Sequence, residues 1–599
     1  LPIRTLCDIV SRLDREPVKS DFLRYKFKGE WRDISSAEFV STVRSLALGM
    51  QALGLNPGER VALLSENRPE WAAFDHALLS LGAVVVPLYP SLLTEQIRFV
   101  LDHSGCRALI LSNEFQLSKV LPALGSLPGL SRLVLLDPPP EMPTQALAWT
   151  ALVGEGEAVH RSDPSRFNSL QSRVSPSDLA SILYTSGTTA DPKGVMLTHG
   201  NFAANINSTL EAIPITGESV ALSFLPLSHA FERLVHFACQ TVGASIAYAE
   251  SIETVGQNLQ ETQPTLVASV PRLLEKVHGR IEDALRSASP IRRGLFRFAL
   301  AVGRSRTRAR LSRGSVPIWL RLLGVEAERL VYGPLRRKTF GGRIQMVISG
   351  AAPLRRDVNE FFQAIGIQVL EGYGLTEASP VVSVNTPRRL RIGTVGPPLP
   401  GVEVRLMEDQ EILVRGANVM KGYFRDEEAT RETVRDGWLH TGDVGRLEDG
   451  FLSITDRKKE ILKTSGGKMI APQPLENLLK GDPSVSQAVL LGDNRKFVSA
   501  LLVPDFGWLA SYARRERIPF SQPSDLIKEP RVVDHYRRLV ETKMAGLPTY
   551  ETVKKFRLLP SELTLEDGEL TPTMKVKRRV VEAKYSDLIA SMYTSDEKK

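Results

Sequence analysis

The stretch YTSGTTADPKGVMLTHGN (184–201) follows directly on the apolar run LASIL and sets three Gly, four Thr and a Ser around Lys193. An apolar strand that opens into a Gly/Ser/Thr loop suits polyphosphate. Glycines let backbone N–H groups turn toward an anion, hydroxyls add donors, and a Lys supplies charge. It is not a Walker loop. That pattern sets Gly five and Lys six positions after its first Gly, then Ser or Thr, whereas counting from Gly187 reaches Pro192, Lys193 and Gly194. Pro192 also removes a backbone donor that the Walker turn needs.

Outward from this loop, strand-like and helix-like runs alternate. RVALLSE reads as a strand, PEWAAFDHALLSLG as a helix, AVVVPLY as a strand, TEQIRFVLDHSG as a helix and RALILS as a strand. That alternation predicts a parallel α/β sheet. It recurs in SVALSFLPL, ASIAYAE and PTLVASV, and again in IQMVISG and IQVLEGYG. The Pro-, Ser- and Glu-rich stretch 137–175 reads as a surface connection. Near 400 the texture changes to VEVRLM, EILVRG and FLSIT, a small antiparallel β unit. After Lys463 come a helix (PLENLLKGDP), two strands (QAVLLG, FVSALLVP) and a helical tail. The fold class expected is α/β: a large N-terminal domain of two sheets plus a small β unit (1–456), then a small mobile α+β C-terminal domain (457–599).

Three cysteines in 599 residues are too few and too scattered for a disulfide framework or a metal site, so a reducing, cytoplasmic setting is expected. Charged residues interrupt the N-terminal stretch before it could form a signal-peptide core. The most apolar run, LLSLGAVVVPLYPSLL (78–93), carries two prolines and falls short of the roughly 20 residues of a membrane span. Net charge is +8, and its distribution is uneven. Between Arg280 and Arg343, sixteen Arg plus Lys face four Asp plus Glu, so this segment alone carries about +12 and the remainder about −4. A nucleic-acid reader would concentrate basicity in this way, and so would a protein touching an anionic membrane.

Six further motifs, LPLSHAFER (225–233), SGAAPL (349–354), EGYGLTE (371–377), GWLHTGD (437–443), ITDRKKEILKTSGGKMIAP (454–472) and ELTPTMKVKRR (569–579), follow the loop in order. Together the seven resemble the signatures of the adenylate-forming, AMP-binding superfamily, over about 5–589. With all seven present, the nucleic-acid reading is set aside. The resemblance implies a two-step reaction. A carboxylate attacks the α-phosphorus of ATP to give an acyl-adenylate and pyrophosphate, and a thiol then displaces AMP. A carboxylic acid is already ionised at neutral pH, so the first step needs no general base. Positioning and charge neutralisation are what the protein must supply.

Residue by residue, the resemblance implies that Thr185, Ser186, Gly187, Thr188 and Thr189 with Lys193 cradle the β- and γ-phosphates. Thr185 and Glu377 would hold Mg2+, a hard cation suited to oxygen donors. Tyr373 would lie against the adenine, whose edge meets the backbone at Gly350, Ala351 and Gly372, with Thr376 close by. Asp443 would accept from the ribose hydroxyls, supported by Arg457. Lys575 would bridge carboxylate and α-phosphate during adenylation. The stretch around Lys463 and Gly466 would replace it for thioester formation, by rotation about a hinge at 456–458. Lys575 lies in TPTMK rather than in the family's usual Gly-Lys dipeptide, while Arg578 and Arg579 keep the alignment. His229 is expected at the acyl entrance, as a gate or wall.

The insertion between VPRLLEKVHGRI and IQMVISGAAPL, with PLSHAFER and TPTMKVKRR, resembles the long-chain fatty-acyl-CoA synthetase branch. The substrates implied are ATP, a long-chain fatty acid and coenzyme A, with acyl carrier protein the alternative thiol. FRFALAVGRSRTRARL and VPIWLRLLG mix large apolar residues with Arg, as surface helices that meet anionic headgroups do, so peripheral contact with the inner face of a membrane is expected. The bland alternative is a solvated basic helical hairpin packed on the large domain.

Overall fold

The computed structural model describes residues 2–185, 192–313, 315–458, 460–571 and 575–593. Most of the phosphate-loop expectation, Ser186, Gly187, Thr188 and Thr189, therefore lies outside the described residues.

The expected alternation over 60–111 is present element by element. Arg60–Leu64, Val84–Leu88 and Ala108–Leu111 are strands, and Pro69–Leu81 and Thr94–Ser104 are the intervening helices. Both helices stop where the sequence supplies glycine. Gly82 (φ 77°) and Gly105 (φ 63°) take the left-handed conformation that lets the chain turn into the next strand. The three strands pair in parallel, and Leu179–Thr185 joins them beside Val84–Leu88 before turning back, antiparallel, through Lys193–Thr198. Eight strands make this first sheet.

A second eight-stranded sheet runs from Val381–Val384 through Gln368–Gly374, Met346–Ser349, Leu266–Ser269, Val220–Ser223 and Ser245–Tyr248 to the hairpin Leu23–Phe27/Glu30–Ile34. That early hairpin crosses to the second sheet, pairing Leu23 with Ile246 in parallel register. A five-stranded unit holds Glu403–Leu406, Glu411–Arg415, Val434–Arg435, Trp438–Glu448 and Phe451–Arg457.

The two large sheets are tied by a buried ion pair. Arg233, on the helix Ala230–Thr241 that follows the second sheet's Val220–Ser223, is fully buried. It donates to both carboxylate oxygens of Asp75 (2.9 and 2.5 Å) and to Ser181 Oγ (2.8 Å) of the first sheet. The rings of Trp71, Phe202 and Phe237 surround its guanidinium. A charge this far from water is tolerated only with such bidentate pairing.

Two expectations are corrected. The stretch 137–175 lies largely at the surface, as expected, but it is not an irregular connection: it forms an edge strand, Ala146–Ala148, and the helices Trp149–Ser162 and Arg166–Gln171. Trp149–Ser162 lies tight on Ser36–Ala52 because glycines meet there. A Cβ on Gly156 would fall 1.7 Å from the carbonyl oxygen of Ser45, and one on Gly49 2.1 Å from that of Leu152. The C-terminal tail is also not purely helical. Lys555–Leu558 pairs in parallel with Ser499–Pro504, completing a three-stranded sheet with Val485–Leu491.

Candidate active site

The site assembles where the second sheet, the five-stranded unit and Lys575 of the C-terminal segment come together. Tyr373 ends the strand Gln368–Gly374, and its hydroxyl donates to Asp443 Oδ2 at 2.6 Å. Asp443 is buried in Trp438–Glu448, and its other oxygen accepts from Arg457 Nε at 3.1 Å. The antiparallel register pairs Asp443 with Arg457 directly, which explains why a TGD turn and a TDR strand end, 14 residues apart, meet as one unit. Burial drives the Tyr373 phenol well above its ordinary pKa, with the Asp443 charge adding to the effect. It stays a neutral donor. A carboxylate has about four lone-pair positions, so Asp443 can take these two donors and still accept more.

Gly350 and Ala351 follow the strand Met346–Ser349. A Cβ on Gly350 would lie 3.4 Å from the Phe231 ring, and Ala351 takes φ 69°, in the left-handed region. Gly372 sits where a Cβ would come 3.2 Å from the Ser383 carbonyl. At Gly350 and Gly372 these close approaches leave little room for a side chain.

The phosphate side is built from three elements. Thr185 ends Leu179–Thr185 and is the register partner of Lys193. The Lys193 ammonium lies 3.5 Å from the Asp426 carboxylate and over the Tyr423 ring, 5.0 Å from its centroid. Tyr423 in turn donates its hydroxyl to Glu377 Oε1 at 2.9 Å, and Glu377 lies with Thr376 in one 3-10 turn. Tyr423 thus links the lysine and glutamate expected to act on phosphate and metal. Nothing in the sequence singled it out.

Lys575 is brought to this site, 390 positions from Thr185. The bridge between Leu570 and Val576, with Thr571 N–H donating to Lys575 O at 2.8 Å and Lys575 N–H to Thr571 Oγ1 at 3.0 Å, fixes the lysine backbone beside Thr571. Crowding by protein lowers the Lys575 pKa, and the Arg457 cation lowers it further. The carboxylates of Asp443, Glu460 and Glu377 act against that shift. The residue nevertheless keeps an exposed edge.

His229 caps the helix Ala230–Thr241, its Nδ1 accepting from Phe231 N at 3.2 Å, and its ring lies edge-on to Tyr89. Burial pushes its pKa down to about 4, with the Lys575 charge contributing, so at neutral pH it is an uncharged wall of the cleft. Lys463 and Gly466 are not part of this assembly. Both are exposed on the turn joining Leu462–Lys463 to Met469–Ile470, and the Lys463 backbone is bound to Asp493 and Asn494. Asp456 is buried at the expected hinge, accepting from Arg457 N at 2.7 Å and Gln473 N at 3.2 Å, and burial raises its pKa to about 6. Behind the site, Lys458 bonds Glu411 (2.9 Å) and Asp409 (2.6 Å), and Glu411 accepts from Gly442 N, which fixes the turn that presents Asp443. Sequence reading missed this support as well.

Comparison with known proteins identifies the family. The profile of AMP-binding enzymes matches residues 12–424, and that of the AMP-binding enzyme C-terminal domain matches 459–597. The chain is 36% identical over 586 residues to Long-chain-fatty-acid--CoA ligase FadD15 of Mycobacterium tuberculosis, covering 96% of this chain and 95% of that one. It is 33% identical to Long chain acyl-CoA synthetase 7, peroxisomal, of Arabidopsis thaliana (94% and 82% covered). In fold it is similar to the anthranilate CoA ligase AuaEII in complex with anthranoyl-AMP (TM-score 0.73, 18% identity, 98% of each chain). It is equally similar to the adenylation domain of a carboxylate reductase from Mycobacterium chelonae (TM-score 0.75, 24% identity, 98% and 91%). With both profiles matched in order across nearly its whole length, the chain belongs to the AMP-binding, adenylate-forming enzyme family.

Proposed function

We propose that the protein joins a long-chain fatty acid to coenzyme A through an acyl-adenylate, releasing AMP and pyrophosphate. The observation that carries this is the convergence of Tyr373, Asp443, Arg457 and Lys575 on one cleft in a chain whose relatives over almost all its length are named for that ligation. A carboxylate oxygen attacks the α-phosphorus, the α–β bridging P–O bond breaks, and pyrophosphate leaves. The thiol sulfur then attacks the acyl carbon, AMP departs with the bridging oxygen, and the thiol proton is lost to solvent.

Each residue has a task in this scheme. Tyr373 forms the face on which adenine rests, and Asp443 accepts from the ribose. Lys575 offsets the two negative charges that meet when carboxylate approaches phosphate, a contribution that grows toward the transition state. Lys193 neutralises the leaving pyrophosphate with the Gly/Ser/Thr loop. Neutral His229 and Phe231 keep water from the acyl group. Lys463 and Gly466, exposed in this arrangement, are assigned to the second step, which the C-terminal domain reaches by turning about 456–458.

Magnesium belongs to the same proposal. Among the described residues no group of three or more His, Cys, Asp or Glu is arranged to hold a metal. Thr185 and Glu377 do offer the hydroxyl and single carboxylate that Mg2+ accepts when phosphates and water complete its shell. Bound there, it would neutralise polyphosphate charge. We place the reaction in the cytoplasm or on the inner face of a membrane. The thiol is tested by following thioester formation from one fatty acid with CoA and with holo acyl carrier protein. Faster turnover with CoA is expected, and a preference for the carrier protein would overturn the assignment.

A further inference from the structure

The basic insertion is four helical segments laid on the second sheet's flank. Pro271–Arg286 leads into the long helix Pro290–Arg313, and the chain returns through Ile318–Ala327 and Gly333–Phe340. The long helix is anchored inward, where Gly303 meets the carbonyl of Ala364 and Tyr332 donates its hydroxyl to the Ala299 carbonyl.

The returning helix Ile318–Ala327 is packed the wrong way round for a surface helix. Its inward face is Leu320, Gly324 and Ala327, all buried, with Gly324 pressed against the Arg306 guanidinium. A surface helix should then be polar on the opposite side. Instead the residues half a turn away are Ile318, Leu322 and Val325, spaced i, i+4, i+7 and exposed by 76%, 66% and 62%. Trp319, 61% exposed, flanks them. A helix apolar on both faces is half of an unfinished interface, and contiguous apolar surface of this kind marks a contact site.

Charge decides what completes it. Arg329 continues the same stripe one turn on and Arg321 borders one edge, while the exposed Glu326 lies on the other beside Trp319; neither arginine forms an ion pair among the described residues. Thirteen Arg plus Lys stand against two Glu over 290–340, a net +11. Two copies of such a surface would repel, whereas anionic headgroups would neutralise the rim while the acyl region takes the apolar stripe. No described helix is long and apolar enough to cross a membrane, so contact would be in the interfacial plane.

We infer that the outward face of Ile318–Ala327, the stripe Ile318–Leu322–Val325 with Trp319, Arg321 and Arg329, is the surface by which the enzyme docks on an anionic lipid bilayer. Its purpose rests on the long-chain reading, since such an acid partitions into bilayers. Its test does not, because vesicle binding is read with no acid, ATP or CoA present, and the exchange assay serves only as a control that the variants are folded.

The full-length protein is sedimented with vesicles of equimolar phosphatidylglycerol and phosphatidylcholine, and with pure phosphatidylcholine. Binding to the anionic vesicles is expected to fall at least about tenfold in Leu322→Asp and in Arg321→Glu/Arg329→Glu, and to fall similarly between low and high salt. Pure phosphatidylcholine should bind weakly. All variants should keep the wild-type melting temperature and ATP–pyrophosphate exchange. Absence of vesicle binding, or equal binding by wild type and both variants, overturns the inference. So would a concentration-dependent dimer that Leu322→Asp dissolves, since the stripe would then belong to a second copy.

Discussion

Replacing Asp443 by Asn should weaken ATP binding far more than it slows turnover. The carboxylate accepts from Tyr373 Oη at 2.6 Å and from Arg457 Nε at 3.1 Å, one donor on each oxygen, and is buried. An amide keeps the shape but turns one acceptor into a donor, so whichever way it sits, its NH2 faces either the phenol or the guanidinium. The proposed ribose bonds lose their charge assistance as well. A hydrogen bond to a charged acceptor contributes about 1.5–3 kcal/mol and a neutral one about 1. Two ribose bonds weakened by about 1 kcal/mol each give about 2 kcal/mol, or about 30-fold in affinity. Initial rates against ATP, at saturating fatty acid and CoA and paired with direct ATP titration, should show KM and Kd rising by about that factor while kcat changes less than about threefold. A melting temperature near wild type would establish that the fold is intact. An ATP KM within twofold of wild type would refute the ribose role.

Two further outcomes follow from the same site and its supports. Lys575→Ala should reduce adenylation by at least about a hundredfold, in line with loss of a preorganised charge at the reacting centre, while thioester formation from supplied acyl-adenylate stays near wild type; equal loss of both half-reactions would contradict the two-position lid. Glu232→Gln should flatten the alkaline loss of stability. Burial raises the Glu232 pKa from 4.5 to about 8, opposed by Ser223, so between those pH values the folded protein holds a proton that the unfolded chain has released, and stability falls as pH rises. The melting temperature of Glu232→Gln relative to wild type should therefore climb from pH 5 to pH 8.5, and a constant difference would mean that Glu232 is ionised in the folded state.

The alternation of strands and helices over 60–111 was legible because each element carries its own pattern and its own stop, with Gly82 and Gly105 closing the two helices. The helix Trp149–Ser162 was not. Trp149, Leu152, Val153 and Val159 line one face toward the core, but Gly154 and Gly156 read as breakers until folding shows Gly49 and Gly156 to be where this helix closes on the backbone of Ser36–Ala52. In the site, motif neighbours pointed to Tyr373, Glu377, Asp443, Arg457 and Lys575, and the fold sets these five near one another. Tyr423 did not, because a lone Tyr after a Gly has no chemistry until folding sets its hydroxyl on Glu377, 46 positions away. Nothing in LPLSHAFER marks Arg233 as buried, since its burial depends on Asp75, which lies 158 positions earlier. The insertion was legible as basic and apolar together. Which side of Ile318–Ala327 faces outward depends on Gly324 meeting Arg306, a tertiary contact.

The central claim is the acid. Carboxylate-dependent ATP–pyrophosphate exchange, measured with the wild-type enzyme across acids from acetate to oleate and with benzoate included, reports adenylation alone. Exchange that rises with chain length and peaks among the long-chain acids is the predicted result. Exchange confined to acetate or benzoate would contradict the substrate assignment while leaving the adenylate chemistry in place, and no exchange with any acid would contradict both.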